Sequence, residues 1–85
     1  MHVIGVFNRD GGTFKTTDME SFAAKAVEIF AAHGHSLDPR IVEGKALLAE
    51  LERAAEAAEM LLAGGGDGTI SAAAGVAYKK GIPLA

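Results

Sequence analysis

The sequence predicts an α/β fold, a three-layer sandwich built around a parallel β-sheet. Short apolar runs alternate three times with segments of helical periodicity, and a glycine-rich loop follows both the first and the third run. Parallel strands need helical crossovers, so a repeated strand and helix order favours this architecture. A chain of 85 residues accommodates one small domain, and we assign residues 1–85 to it.

The first half of the chain predicts two strands and a helix. Residues 3–7 form a continuous apolar run, which is typical of a strand buried on both faces. Thr17 begins a helix, because Thr17 and Glu20 have the capping-box spacing, and Gly34 ends it. The helix has apolar residues at three- and four-residue steps, at Met19, Phe22, Ala23, Ala26, Ile29 and Phe30. Residues 35–42 follow as a strand, which Pro39 places at a sheet edge.

The second half predicts two further helices and one further complete strand. A helix over residues 44–57 carries apolar side chains on one side, at Leu47, Leu48, Leu51, Ala54 and Ala55. Residues 60–63 form the third strand and residues 69–80 a helix, in which we expect Tyr78 to pack. Residues 82–85 begin a fourth strand that is truncated. In a sheet of order 2-1-3, the ends of the first and third strands are neighbours.

Composition and charge narrow the function classes. The hydrophobic fraction of 49% is that of a globular protein, and the absence of cysteine favours an intracellular one. The start of the chain has no basic leader, and no apolar run approaches the ~20 residues that span a bilayer. We therefore expect a cytoplasmic protein with at most peripheral membrane contact. A net charge of −3 argues against nucleic acid as the partner.

The glycine-rich stretch at residues 64–68 is the main candidate site. It joins a predicted strand to a predicted helix, where open α/β sheets bind their ligands. Glycines let the backbone approach a phosphate, and the first N–H groups of a helix favour an anion. The residues that we expect to bind phosphate are Gly65, Gly66, Gly68 and Thr69. Thr69 either caps the helix or donates a hydrogen bond to a phosphate oxygen.

Asp67 is the most informative residue of this loop. A carboxylate beside a phosphate repels it unless a cation or a proton-transfer step needs the carboxylate, and magnesium bound to phosphates is held in this way. Asp67 therefore indicates either a magnesium–nucleotide complex or activation of an acceptor hydroxyl, and the sequence leaves both open. The alternative is a purely structural turn in which Asp67 caps the helix.

Residues 65–69 read Gly-Gly-Asp-Gly-Thr, the signature shared by diacylglycerol kinases, sphingosine kinases and NAD kinases. The flanking residues 61–64, 70–73 and 81–84 resemble the bacterial diacylglycerol-kinase-like branch. The resemblance implies the N-terminal part of an NAD kinase or diacylglycerol kinase-like domain. It also implies a lipid kinase that uses ATP and Mg²⁺, with Asp67 as the catalytic and metal-binding residue.

A second match follows the first strand, at residues 8–13. This loop resembles the family's Asn-Pro-x-Ser-Gly-Gly loop, although Arg9 replaces the proline and no serine precedes Gly11. The resemblance implies nucleotide contacts from Asn8, Gly11, Gly12 and Thr13. Taken alone, residues 8–13 also suit an ordinary loop.

The resemblance covers only the first part of the family's catalytic domain. Members continue into a second, β-rich domain that completes the lipid site and supplies the proposed base, so we expect this chain alone to be inactive. Two rival interpretations are an NAD kinase-type phosphotransferase and a non-catalytic nucleotide-binding or interaction module. An unpaired last strand also predicts self-association through the sheet edge.

Overall fold

The computed structural model describes residues 1–10 and 16–85, the side chains of residues 16–18 excepted. Its elements are β1 (His2–Asn8), α1 (Thr16–Ala32), β2 (Ser36–Val42), a 3₁₀ helix (Gly44–Ala46), α2 (Leu47–Ala57), β3 (Met60–Gly64) and α3 (Asp67–Lys80). The three strands form a parallel sheet in the order β2-β1-β3. The predicted α/β fold and the 2-1-3 strand order are therefore confirmed.

β1 is buried on both of its faces. Ile4 and Val6 pack with the apolar side chains of α2 and α3, whereas Val3 and Phe7 pack with those of α1. Successive side chains of a strand point to opposite faces, so a strand covered by helices on both sides needs a continuous apolar run. The run at residues 3–7 meets this demand, and the strand extends one residue beyond it at each end.

β2 lies at the edge of the sheet, as predicted, and Pro39 is opposite Gly5 in its pairing with β1. Arg40 of β2 donates to Glu50 of α2 at 2.8 Å, and to Asp38 from two of its nitrogens at 3.2 and 3.0 Å. The hydrogen bond to Glu50, and next that to Asp38, raise the pKa of Arg40. A planar guanidinium can serve both carboxylates at once, and it thereby ties the edge strand to α2.

Four apolar side chains that we expected to pack are more exposed than predicted. Phe22 and Ile29 of α1 are 50% and 52% exposed, because α1 packs mainly over β2 and turns these two toward the uncovered side of β3. Leu48 is 56% exposed, since the buried stripe of α2 runs through Leu47, Leu51, Ala54 and Ala55. The expected packing of Tyr78 was wrong, because 91% of its surface is exposed.

All three α-helix starts differ from the sequence prediction. α2 begins at Leu47, because residues 44–46 of the predicted helix form the 3₁₀ helix. α1 begins one residue before Thr17, whose side chain lies outside the described residues. α3 begins at Asp67, two residues before the predicted start, with Gly66 at its N-cap. Its end at Gly81 is as predicted, since Gly81 has a φ of 72° and forms a left-handed C-cap.

The predicted fourth strand is present as a short pairing with the outer side of β3. Ala85 donates its N–H to the Leu61 carbonyl at 2.8 Å, and Leu61 donates to the Pro83 carbonyl at 3.0 Å. Leu61 and Leu84 thus form a parallel bridge. Among the helices in residues 1–10 and 16–85, none has the length and apolar character needed to cross a membrane.

Candidate functional site

The two predicted glycine loops begin side by side at the carboxyl edge of the sheet. Asn8 ends β1, and its Nδ2 donates a hydrogen bond to Thr69 Oγ1 at 3.0 Å. Thr69 belongs to the first turn of α3 and is only 3% exposed. The strand order therefore brings Asn8 and the Gly-Gly-Asp-Gly-Thr loop to one place, as the sequence analysis predicts.

The side-chain amide of Asn8 is held at both ends. Its Oδ1 accepts the backbone N–H of Asp10 at 2.9 Å, while its Nδ2 faces Thr69. A carbonyl oxygen must face an N–H donor, so these two partners fix the orientation of the amide. The other predicted residues of this loop, Gly11, Gly12 and Thr13, lie outside the described residues.

Two glycines at the end of β3 are required by packing. A Cβ added at Gly64 would overlap the Phe7 ring. Gly65 has a φ of 149°, and a Cβ there would lie 2.7 Å from Thr69 Oγ1 and 3.2 Å from the Cβ of Asn8. Both positions therefore need glycine whether or not a ligand binds.

Gly68 differs from Gly64 and Gly65, because no described neighbour occupies the space of a Cβ there. A Cβ added at Gly68 meets no heavy atom of the described residues within 4 Å, and the residue is exposed in the first turn of α3. Neither its neighbours nor its backbone conformation requires glycine, since φ is positive only at Gly34, Gly65 and Gly81 among the described glycines. Within the described part of the chain, the surface beside this turn is therefore uncovered.

Unpaired N–H groups point from the same turn. Thr69 and Ile70 both donate to the Gly66 carbonyl, at 3.0 and 3.2 Å, whereas the N–H groups of Asp67 and Gly68 have no acceptor within the described part of the chain. The start of a helix carries partial positive charge, and free N–H groups there bind anions. This turn is therefore suited to phosphate oxygens.

Asp67 is the first residue of α3 and is exposed. Neither Asp67 nor Thr69 caps the helix, because the N-cap position belongs to Gly66 and no side chain there makes a capping hydrogen bond. Residues 1–10 and 16–85 contain no group of three or more acidic or histidine side chains that could hold a metal ion. Magnesium bound to phosphates commonly takes only one or two carboxylates and several waters, so the single carboxylate of Asp67 fits that mode of binding.

An apolar cavity of about 250 Å³ adjoins the loop. Its walls are the side chains of Phe7, Met19, Phe22, Leu62 and Ile70 and the residues at the end of β3. Sequence reasoning did not place Phe22 and Ile70 at the site. The sequence signal for Ile70 is its position directly after the signature. Phe22 has no such signal, and its place at the site follows from its T-shaped contact with Phe7, whose ring centroid lies 6.0 Å away.

Sequence reasoning also missed a contact from the end of β2. Asp10 Oδ2 accepts the backbone N–H of Gly44 at 2.7 Å, although the two residues are 34 positions apart. A Cβ added at Gly44 would lie 3.6 Å from Asn8 Oδ1. The turn between β2 and α2 therefore lies against the same group of side chains as the other two loops.

We predict that Gly65→Ala lowers the free energy of unfolding by about 2–4 kcal/mol, because the added methyl combines a strained φ with a clash against Thr69. Urea denaturation followed by circular dichroism measures this change. Gly34→Ala is the matched control, since Gly34 also has a positive φ but a Cβ there meets none of the described atoms within 4 Å. It should cost only about 1 kcal/mol. Equal losses for the two variants would contradict the packing role of Gly65.

A comparison with protein families places the chain among known proteins. The family model described as the diacylglycerol kinase catalytic domain matches residues 2–85. No curated protein and no solved structure matches the chain. The family match spans all three strands and both glycine loops.

Proposed function

Because the chain belongs to the diacylglycerol kinase catalytic domain family, we propose that it is the nucleotide-binding part of an ATP-dependent lipid kinase. The observation that carries this proposal is the Asn8–Thr69 hydrogen bond, which joins the two glycine loops at the carboxyl edge of the sheet. Ligands of open α/β sheets bind at that edge. In the intact enzyme, the γ-phosphoryl group of ATP passes to a lipid hydroxyl.

The first turn of α3 holds the phosphates in this proposal. The free N–H groups of Asp67 and Gly68 donate to phosphate oxygens, and the open surface at Gly68 admits the phosphate to the backbone. Gly65 and Gly66 shape the turn that presents these groups. Direct donation from the Thr69 hydroxyl to a phosphate stays a prediction, since Thr69 Oγ1 already accepts a hydrogen bond from Asn8.

Asp67 has one of two roles beside those phosphates. Its exposed carboxylate either ligates Mg²⁺ or takes the proton from the acceptor hydroxyl as the lipid oxygen bonds to phosphorus and the bond to the β-phosphate oxygen breaks. Bound magnesium supplies positive charge that neutralises the phosphate oxygens. An exposed position at the edge of the loop suits both roles.

The remaining expectations concern the acceptor, the first glycine loop, the location of the protein and its self-association. The family match favours a lipid over NAD as the acceptor, and nucleotide binding without turnover would favour a non-catalytic module. Nucleotide contacts from Gly11, Gly12 and Thr13, a cytoplasmic location with peripheral membrane contact, and self-association through the sheet edge stay predictions. The edge in question is the outer side of the segment that pairs with β3.

Calorimetric titration of ATP into the chain and into Asp67→Ala tests the proposed site. If Asp67 holds magnesium, the variant should bind Mg²⁺–ATP about tenfold more weakly, because one metal ligand is lost. Without magnesium it should bind ATP at least as well as the wild type, because a negative charge has been removed.

Glu52→Ala is the control for charge, since it removes an exposed carboxylate from α2. Unchanged Mg²⁺–ATP binding in Asp67→Ala would contradict the magnesium role of Asp67. A folded wild-type chain that binds no Mg²⁺–ATP would contradict the proposed function of this chain.

A pair of glycine substitutions in α3 separates a phosphate site from a structural turn. Gly68→Ala and Gly75→Ala each add a methyl group that meets no described atom within 4 Å, and both should stabilise the fold by up to about 1 kcal/mol. Gly68→Ala should nevertheless weaken ATP binding by about tenfold or more, because its methyl group occupies the space of a phosphate. Gly75→Ala should leave binding unchanged. Thermal unfolding and calorimetry give the two readings, and equal ATP affinity in both variants would mean that the loop is only a turn.

A further inference from the structure

The turn between β2 and α2 is fastened to the loop that follows β1. Gly44 donates its N–H to Asp10 Oδ2 at 2.7 Å, and Arg9 donates its N–H to the Val42 carbonyl at 2.9 Å. A short hydrogen bond to a carboxylate is among the stronger ones in proteins. The second bond continues the β1–β2 pairing past the ends of the two strands, so a backbone bond and a side-chain bond both link the turn to the end of β1.

Three consecutive hydrogen bonds connect this turn to α3. Gly44 donates to the Asp10 carboxylate, the N–H of Asp10 donates to Asn8 Oδ1, and Asn8 Nδ2 donates to Thr69 Oγ1. The lengths are 2.7, 2.9 and 3.0 Å. The series runs from the turn after β2, past the end of β1, to the helix that follows β3. Asp10 takes part in two of its three hydrogen bonds.

We propose that Asp10 is a positioning residue of the nucleotide site. Its carboxylate holds the β2–α2 turn, and its N–H holds the amide of Asn8, so the three strand ends keep one arrangement. The inference rests on the proposed nucleotide site. Asp10 acts on the ligand through Asn8, and its carboxylate is directed to a backbone N–H.

The charge of Asp10 makes this role informative. A carboxylate close to a phosphate site weakens phosphate binding through repulsion. A neutral residue would therefore be favoured at this position unless the carboxylate had a function there. The bond to Gly44 gives the carboxylate such a task. The simpler explanation is that Asp10 only caps the short helix at Gly44–Ala46, which affects stability and leaves Asn8 undisturbed.

Three variants separate these explanations. Asp10→Ala removes the acceptor for the Gly44 N–H, whereas Asp10→Asn keeps a carbonyl oxygen that can accept it and removes only the charge. Glu59→Ala is the matched control. Glu59 Oε1 accepts the backbone N–H of His2 at 2.9 Å, the same kind of bond at the opposite edge of the sheet.

The first measurement is the ¹H–¹⁵N NMR spectrum of each variant without nucleotide. Asp10→Ala should shift the Gly44 amide, the side-chain amide of Asn8 and the Thr69 amide, because the series of hydrogen bonds loses its middle restraint. Asp10→Asn should restore the Asn8 and Thr69 signals. Glu59→Ala should shift only signals around His2. Shifts in Asp10→Ala that stop at Gly44 and its neighbours would overturn the proposal.

The second measurement is the affinity for Mg²⁺–ATP by calorimetry at a temperature where all variants are folded. Asp10→Ala should bind about fivefold to tenfold more weakly, while Asp10→Asn stays within about twofold of the wild type. Unchanged Mg²⁺–ATP affinity in Asp10→Ala would mean that Asp10 only caps the short helix. Equally tighter binding in both Asp10 variants would mean that Asp10 affects the nucleotide only through its charge. Either result overturns the positioning role. A wild type that fails to bind contradicts the proposed function, and the NMR comparison still decides whether Asp10 orients Asn8.

Discussion

The burial of β1 between two helical layers is the constraint on which the rest of the structure depends. Its side chains alternate between the α1 layer and the layer of α2 and α3, so a shift of one residue in register would exchange the two sets. The observed register places Asn8 opposite Val42 and Phe7 opposite Gly64. The packing of an apolar strand therefore determines which polar side chains meet at its end.

The glycines of the loop answer two different physical demands. Gly64 and Gly65 lack side chains because Phe7, Asn8 and Thr69 occupy the space that a Cβ would need. Gly68 meets no such obstacle and has a helical backbone, where alanine is the more stable residue. No neighbour among the described residues requires glycine at this position, whereas the proposed phosphate site does. Substitution of the whole motif at once would mix a folding defect with a binding defect.

The order of the elements could be predicted from the sequence because each depends on local pattern and on the geometry of parallel sheets. For example, the apolar run at residues 3–7 indicates a strand that is buried on both faces, and Pro39 indicates that β2 lies at an edge of the sheet. Periodicity shows only that a helix has an apolar face. It does not show whether a partner covers that face, and so it misplaced Phe22 and Ile29.

Contacts between distant segments could not be predicted from the sequence for a related reason. The bond from Gly44 to Asp10 depends on where the β2–α2 turn lies in space, and no local pattern around either residue encodes it. The Asn8–Thr69 pair was easier, because both residues belong to loops whose strands are adjacent in the predicted sheet order. The sequence predicted that the two loops are neighbours, but not the hydrogen bond between Asn8 and Thr69.

Two carboxylates, Asp10 and Asp67, lie near the proposed phosphate site in a chain whose net charge is already −3, and both would repel a phosphate. The structure gives the two carboxylates different surroundings. Asp10 is engaged with a backbone N–H at 2.7 Å, whereas Asp67 is exposed and no donor within the described residues bonds its side chain. Of the two, Asp67 is therefore the one available to a cation or to an acceptor hydroxyl. If Asp10 positions Asn8 as proposed, its hydrogen bond favours nucleotide binding while its charge opposes it. Removal of the charge alone and removal of the hydrogen bond should therefore affect nucleotide binding in different ways.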